Sequence, residues 1–273
     1  MRKKNLSIFL SFIILLMSCH KQETEILAKD YKKITVVRTK SGYSGSVDSL
    51  IIELNNNSTI KAIKAFAFLT DKTISDQKIK NFIYQPNSTI PDSSLIETRD
   101  WRGVTANYTE KYLYDNGKIV NVYSAVIEDG GSNSLIIYTY NLEGKIVNKY
   151  NSYIYHQDTI NSNLKYEYNG KNISYSAYQA GSPFPESYNN IYITFDDKIN
   201  PLNNLFRKCN FPFEDEIISL FPREFLFSEN NPTKMKLNSP GIIVNQSYKY
   251  NQFNYPTEVI SNFVYYNVRF YYE

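Results

Sequence analysis

The chain has 273 residues, 42% of them hydrophobic and 15% aromatic, with 30 basic and 27 acidic side chains. That length and composition suit one large β domain or two small ones, and a near-balanced charge gives no field to attract nucleic acid, which is not an expected partner. Two cysteines and two histidines are too few for a disulfide framework or a multi-histidine metal site, and no cofactor is expected.

The first element in chain order is a leader. Arg2, Lys3 and Lys4 precede an apolar run from Leu6 to Met17. The run matches a signal-peptide core and is shorter than the roughly 18–20 apolar residues of a spanning helix. Leu16-Met17-Ser18-Cys19 resembles a bacterial lipobox. That resemblance implies cleavage before Cys19, diacylglycerol on its thiol and acylation of its new amino group. Two or more acyl chains, at about 0.8 kcal/mol per buried CH₂, make a stable anchor.

Residues 1–18 are therefore expected to be a lipoprotein signal peptide, Cys19 the lipidation site, and 19–30 a hydrated tether. Residues 31–273 form the folded domain. Cleavage would remove three basic residues and leave 27 of each sign. Cys209 would then have no disulfide partner, and it reads as a buried small hydrophobe. His20 lies in the tether. His156 follows a strand-like Tyr153-Ile154-Tyr155 and reads as a surface turn rather than the base of a Ser-His-Asp triad.

From residue 51 onward a unit recurs: aromatic-x-aromatic, then Asn or Asp, a short turn, Lys and an aliphatic residue. The clear copies are Tyr112-Leu113-Tyr114-Asp115-Asn116-Gly117-Lys118-Ile119, Tyr138 to Ile146 and Tyr166 to Ile173. Looser copies begin at Tyr192 and Tyr248, and Ile51 to Ile63 is a degenerate early one. Asn-Gly and Asp-Asn-Gly supply the positive φ of tight hairpin turns. Their Tyr, Ile, Val and Thr flanks suit a pleated, half-buried surface. Consecutive hairpins become neighbours, which predicts an all-β antiparallel meander of about 10–16 strands forming a rolled sheet or half-open barrel. Tyrosine is expected to pack its ring across strands while its hydroxyl reaches water. The run Val120 to Ile127 has no polar face and reads as a strand covered on both sides.

Two stretches break the rhythm. Gln85 to Ser94, with Pro86 and Pro91, reads as a long loop. Residues 201–221 hold one or two short helical turns, at Pro201-Leu202-Asn203-Asn204-Leu205-Phe206 and around Glu214 to Phe221. This apolar segment is expected to plug one end of the sheet. Asp196-Asp197 and Glu214-Asp215-Glu216 lack the loop spacing of a calcium site and read as turns or solvated edges. Asp129-Gly130-Gly131-Ser132 has no helix behind it and reads as a hairpin turn, not a phosphate loop. Trp101, followed by Arg102 and Gly103, stands outside the tyrosine rhythm; it reads as a core or sheet-edge residue, with sugar stacking the alternative.

The Tyr-x-Tyr-Asp/Asn turns, Thr194 to Pro201, Asn230-Asn231-Pro232-Thr233-Lys234 and Tyr255-Pro256-Thr257-Glu258 together resemble a family of Bacteroides-type lipoproteins, a domain of unknown function with a porin-like fold. The units also resemble the YD repeats of large secreted proteins. The family resemblance implies a rolled antiparallel sheet and no known activity. Charged mid-strand residues, as in Val268-Arg269-Phe270, argue for a water-soluble wall rather than a membrane-spanning one. The functional expectation is a non-catalytic, lipid-anchored protein of the cell envelope, in the outer membrane and facing the periplasm or the exterior. Its tyrosine-rich sheet would bind a glycan or another envelope protein. A carboxylate-dependent glycoside hydrolase and a structural accessory subunit of an outer-membrane complex are the alternatives.

Overall fold

The computed structural model of the protein describes residues 31–38, 47–68, 74–126, 133–155, 158–180, 187–212, 223–237, 241–263 and 267–273. The leader, Cys19, the tether, His156, Asp129 to Ser132 and Glu214 to Phe221 lie outside them. Sixteen strands follow in order: β1 (Lys33–Arg38), β2 (Val47–Leu54), β3 (Ile60–Phe68), β4 (Ile74–Tyr84), β5 (Pro91–Arg99), β6 (Thr105–Asp115), β7 (Lys118–Val126) and β8 (Ser134–Tyr140). The second half comprises β9 (Ile146–Tyr155), β10 (Asp158–Asn169), β11 (Asn172–Ala180), β12 (Ser187–Ile199), β13 (Asn230–Leu237), β14 (Ile243–Tyr250), β15 (Pro256–Ser261) and β16 (Val268–Tyr272). Helix α1 (Pro201–Cys209) and a 3₁₀ turn (Arg223–Phe227) are inserted between β12 and β13.

Each strand pairs antiparallel with the next, and β1 pairs with β16, Val36 opposite Phe270. The meander is therefore a closed barrel of sixteen strands. The expected rolled sheet or half-open barrel is corrected by this last pairing. An open roll would leave two edges of unpaired N–H and C=O groups, and closure removes both. Alternation makes the join specific. Ile34, Val36 and Arg38 are buried, and their partners on β2 and β16 (Ile52, Leu50, Tyr272, Phe270, Val268) share that inner face. The expectation of a two-sided cover over β7 is also corrected: Val122 is buried inside, while Tyr123 is 45% exposed on the outer wall.

The turns fall where the clear copies place them, but the looser Tyr192 copy makes no turn, since Asp196 to Ile199 continue β12. Asn116 and Gly117 both take positive φ, 48° and 74°, the conformation of a two-residue hairpin turn that fits the strand twist. A second turn type is headed by Asn or Asp. At Asn141 the side-chain oxygen accepts from the N–H groups of Glu143 and Lys145, while the carbonyl accepts from Gly144 at φ 78°. Asn251 repeats this with Phe253, Tyr255 and Asn254. Asp100 repeats it with Arg102, Val104 and Gly103. The stretch Gln85 to Ser94 is shorter as a loop than expected, because β5 already begins at Pro91.

A sixteen-strand barrel is too wide for wall side chains alone to fill. The described parts of the insertion after β12, 201–212 and 223–227, pack into the end that carries the tight turns, as expected for the first half of the 201–221 segment. Asn200 caps α1, its side chain accepting from Leu202 N–H at 3.0 Å, and Pro201 takes the first turn, where its missing N–H costs nothing. Asn210 ends the helix at φ 48°. Asn200 Nδ2 donates to the Phe225 carbonyl at 2.6 Å, and Asn203 Nδ2 to that of Leu226 at 2.8 Å, stitching α1 to the 3₁₀ turn. Leu202, Leu205, Phe211, Phe225, Leu226 and Phe227 are buried in one core cluster to which every strand but β5 contributes. Each such side chain contributes about 1.5–3 kcal/mol on burial.

Candidate functional site

The tyrosines of the repeat point inward. Tyr112, Tyr138, Tyr166 and Tyr192, the first aromatic of their units, are at most 5% exposed. Phe211 of the plug sits 4.5 Å from the Tyr112 ring and 5.2 Å from Phe82, and Phe227 lies 5.2 Å from Tyr166. In the Tyr138 and Tyr166 units the second aromatic points its hydroxyl at backbone rather than at water. Tyr140 Oη donates to the Ile119 carbonyl at 2.7 Å, and Tyr168 Oη to that of Ile146 at 2.8 Å. The expected ligand-facing tyrosine sheet is thus occupied by the chain's own plug. Period-2 patterning identifies the two faces of a sheet and leaves open which of them becomes the concave one.

Above the plug lies a buried charge pair that sequence reasoning missed. Lys80 Nζ is 2.8 Å from Glu110 Oε2, the two side chains 4% and 11% exposed. Tyr112 Oη donates to the same carboxylate at 2.8 Å, and Ser94 Oγ lies 3.2 Å from it. The Lys80 ammonium also stands 4.9 Å from the Phe211 ring centre. Burial pushes the Tyr112 hydroxyl well above the ordinary tyrosine range. The only hint in sequence was a Lys and a Glu at inward positions of predicted strands. Lys149, fully buried and 5.9 Å from the Tyr138 ring, is a second inward lysine.

Of the two acidic clusters, Asp196-Asp197 separates into unlike halves. Asp196 accepts from Lys198 N–H at 3.0 Å, from Asn231 N–H at 3.1 Å and from the Tyr250 hydroxyl. These bonds fix the irregular end of β12 against β13. Asp197 is a solvated edge residue, 3.3 Å from Lys198 Nζ. Cys209 is buried at 1% exposure, and desolvation raises its thiol pKa to about 11, which makes it a packing residue and a poor nucleophile. Among the described residues, no group of three or more His, Cys, Asp or Glu side chains could hold a metal ion.

The outer wall bears ion pairs toward the plugged end. Glu53 pairs with Lys64 at 2.5 Å across β2 and β3, and Glu258 bridges Lys249 and Arg269 across β14, β15 and β16. The same wall exposes Leu95, Leu113, Tyr123, Ile137, Ile191 and Ile260 among charged residues such as Glu97, Lys111 and Lys165, a mixed surface rather than the uniform apolar band of a lipid-facing wall.

At the end opposite the plug, the β5–β6 turn carries Trp101. Asp100 shapes that turn, and its carboxylate takes two further bonds from Arg102, Nε at 2.9 Å and Nη2 at 2.7 Å. The Arg102 hydrogen bonds hold the Asp100 carboxyl below the usual carboxylate range. The Trp101 indole is 71% exposed, with the Arg102 guanidinium 5.7 Å from its ring. Beside it is a groove of about 190 Å³ lined by Ile74, Ser75, Gln77, Arg99, Asp100, Trp101 and Gly103. The indole is neither in the core nor paired in the sheet, the bland reading of its sequence. It is an exposed aromatic platform ringed by polar groups.

No family model and no curated protein matches the chain. Among solved structures, a porin-like protein from Bacteroides uniformis superposes with a TM-score of 0.55 at 13% identity, covering 89% of this chain and 98% of that one. The shared feature is the fold. This chain is similar to it as a closed antiparallel barrel. A porin-like protein from Bacteroides vulgatus gives a TM-score of 0.37 at 10% identity, with 89% and 98% covered.

Proposed function

We propose that the protein is a lipid-anchored barrel of the cell envelope that binds a ligand at its rim, without catalysis and without conducting solutes. The observation that carries this reading is the plug. Fifteen of the sixteen strands share one packed core with the described parts of the insertion, 201–212 and 223–227, where a sixteen-strand porin has a water-filled channel. The lipobox-like Leu16-Met17-Ser18-Cys19 supports the anchor, and the mixed outer wall supports a barrel standing outside the bilayer it is tied to. The porin-like fold is in keeping with an outer-membrane setting.

The Trp101 groove is the proposed binding site, and its chemistry fits a glycan. An indole face stacks on the C–H face of a sugar, while Gln77 and Arg99 offer hydrogen-bond donors to hydroxyls. Titration with envelope oligosaccharides should shift the emission of Trp101, the single tryptophan. Trp101→Ala should abolish binding, read by calorimetry, and leave the unfolding midpoint unchanged. Undiminished binding by that variant would remove the site. For the anchor, Cys19→Ala should release the chain from carbonate-washed membranes, and retention of that variant would remove the lipid.

A further inference from the structure

The place where the described chain begins fixes where the tether leaves the barrel. Tyr31 packs its ring 5.1 Å from Tyr272 and 6.3 Å from Tyr255. The Lys32 and Lys33 N–H groups donate to the Glu273 carbonyl at 2.6 and 3.0 Å, and the Lys32 carbonyl accepts from Leu54 N–H at 2.8 Å. All of these lie at the plugged end. Residues 20–30 therefore depart from that end and reach about 36–40 Å at full stretch. The wall, taken at the 11 residues of β4 or β6, measures about 37 Å along a strand. Inverting the barrel would spend most of the tether on returning along the wall.

The same end presents two apolar tips on otherwise polar turns. Leu142, in the β8–β9 turn, is fully exposed, and Phe253, in the β14–β15 turn, is 50% exposed. The two turns stand six strands apart around the ring. Around Leu142, β7, β9 and β11 are entered through a lysine, Lys118, Lys145 and Lys171, partly offset by Asp115, Glu143 and Glu229, while the strand after Phe253 starts Pro256-Thr257-Glu258 without one. Amphipathic tips with flanking ammonium groups suit a layer of lipid phosphates.

Resting on the lipid-anchor reading above, we propose that the plugged end seats on the bilayer surface holding the acyl chains. Leu142 and Phe253 reach the headgroup layer, and the Trp101 rim points away from it, toward ligands. The test uses the lipidated full-length chain in vesicles of phosphatidylethanolamine and phosphatidylglycerol at about 3:1, doped with a nitroxide-headgroup lipid. Native Trp101 reports the far end; Trp101→Phe/Leu142→Trp and Trp101→Phe/Phe253→Trp report the near end. The expected result is loss of emission at positions 142 and 253 and none at Trp101. Vesicles that carry the chain but leave 142 and 253 unquenched, or quench Trp101 as strongly, overturn the orientation while the anchor stands. A native chain that does not float with vesicles overturns the anchor itself, and the orientation with it.

Discussion

Tyr168 Oη donates to the carbonyl of Ile146 at 2.8 Å, and that carbonyl lies two residues past the last β9–β10 pair, Asn148 opposite Lys165. The same offset recurs. Tyr140 serves Ile119 beyond Asn121–Ile137, Tyr272 serves Pro256 beyond Glu258–Arg269, and Tyr248 serves Pro232 beyond Lys234–Asn245. Tyr84 serves Ile60 beyond Ala62–Asn81. Where adjacent hairpins part at the plugged end, a tyrosine hydroxyl replaces the strand partner that the carbonyl has lost. Tyr114 stands at the same offset from Pro91 without such a bond among the described residues.

Removing one of these hydroxyls strands a half-buried carbonyl. Tyr168→Phe should therefore cost about 1–3 kcal/mol, more than the roughly 0.5–1.5 of an ordinary exchange with water. Tyr123→Phe, on the outer wall, should cost nothing measurable. Urea unfolding followed by circular dichroism checks both. Equal midpoints for the two variants would refute the capping role.

The Lys80–Glu110 pair should behave as a buried ion pair. Lys80→Met leaves Glu110 in the core with the Tyr112, Ser94 and Ser124 hydroxyls beside it and no counter-charge, a loss of about 3–5 kcal/mol. Adding Glu110→Leu should recover most of that, since no charge is left to bury. A double-mutant cycle measures the coupling, and additive losses would contradict it.

Alkali should destabilise the barrel from about pH 9 upward. Burial raises the Cys209 thiol from 9.0 to about 11. The unfolded chain therefore releases that proton first, and the native state binds more protons between those values. Stability is then flat below about pH 9 and falls as pH rises through this window. Tyr248 and Tyr272, also raised by burial, extend the loss to higher pH. Cys209→Ala should flatten the slope between pH 9 and 11, and Cys209 in the native barrel should resist thiol reagents that label it in urea.

Gly144 tests the Asn-headed turn. Its φ of 78° lies in the left-handed region, and an added Cβ would meet only the mobile end of Lys118, at 2.7 Å from Nζ. The cost of Gly144→Ala is then mostly backbone, about 1–2 kcal/mol. Gly144→Asn should cost less, because Asn254 holds the equivalent position at φ 62°. Matching thermal midpoints for Ala and wild type would argue against this turn geometry.

Local features were legible in the residues themselves. Asn116-Gly117, Asn141 to Gly144 and Asn169-Gly170 gave the turn positions, because positive φ restricts which residues can stand there. The Tyr-flanked runs between them gave the strands, and Pro201 to Phe206 gave the plug helix. The Trp101 turn shares its Asp-headed grammar with Asn141, a signal in sequence that could have placed the indole on a tip instead of in the core. Closure, the inward turn of the tyrosines and the meeting of Lys80 with Glu110 were decided only in three dimensions. Alternation sorts side chains into two faces, but the curvature summed over sixteen strands determines which face is inside and whether β1 meets β16. A hydroxyl's partner 22 residues away depends on register across strands, which no local pattern encodes.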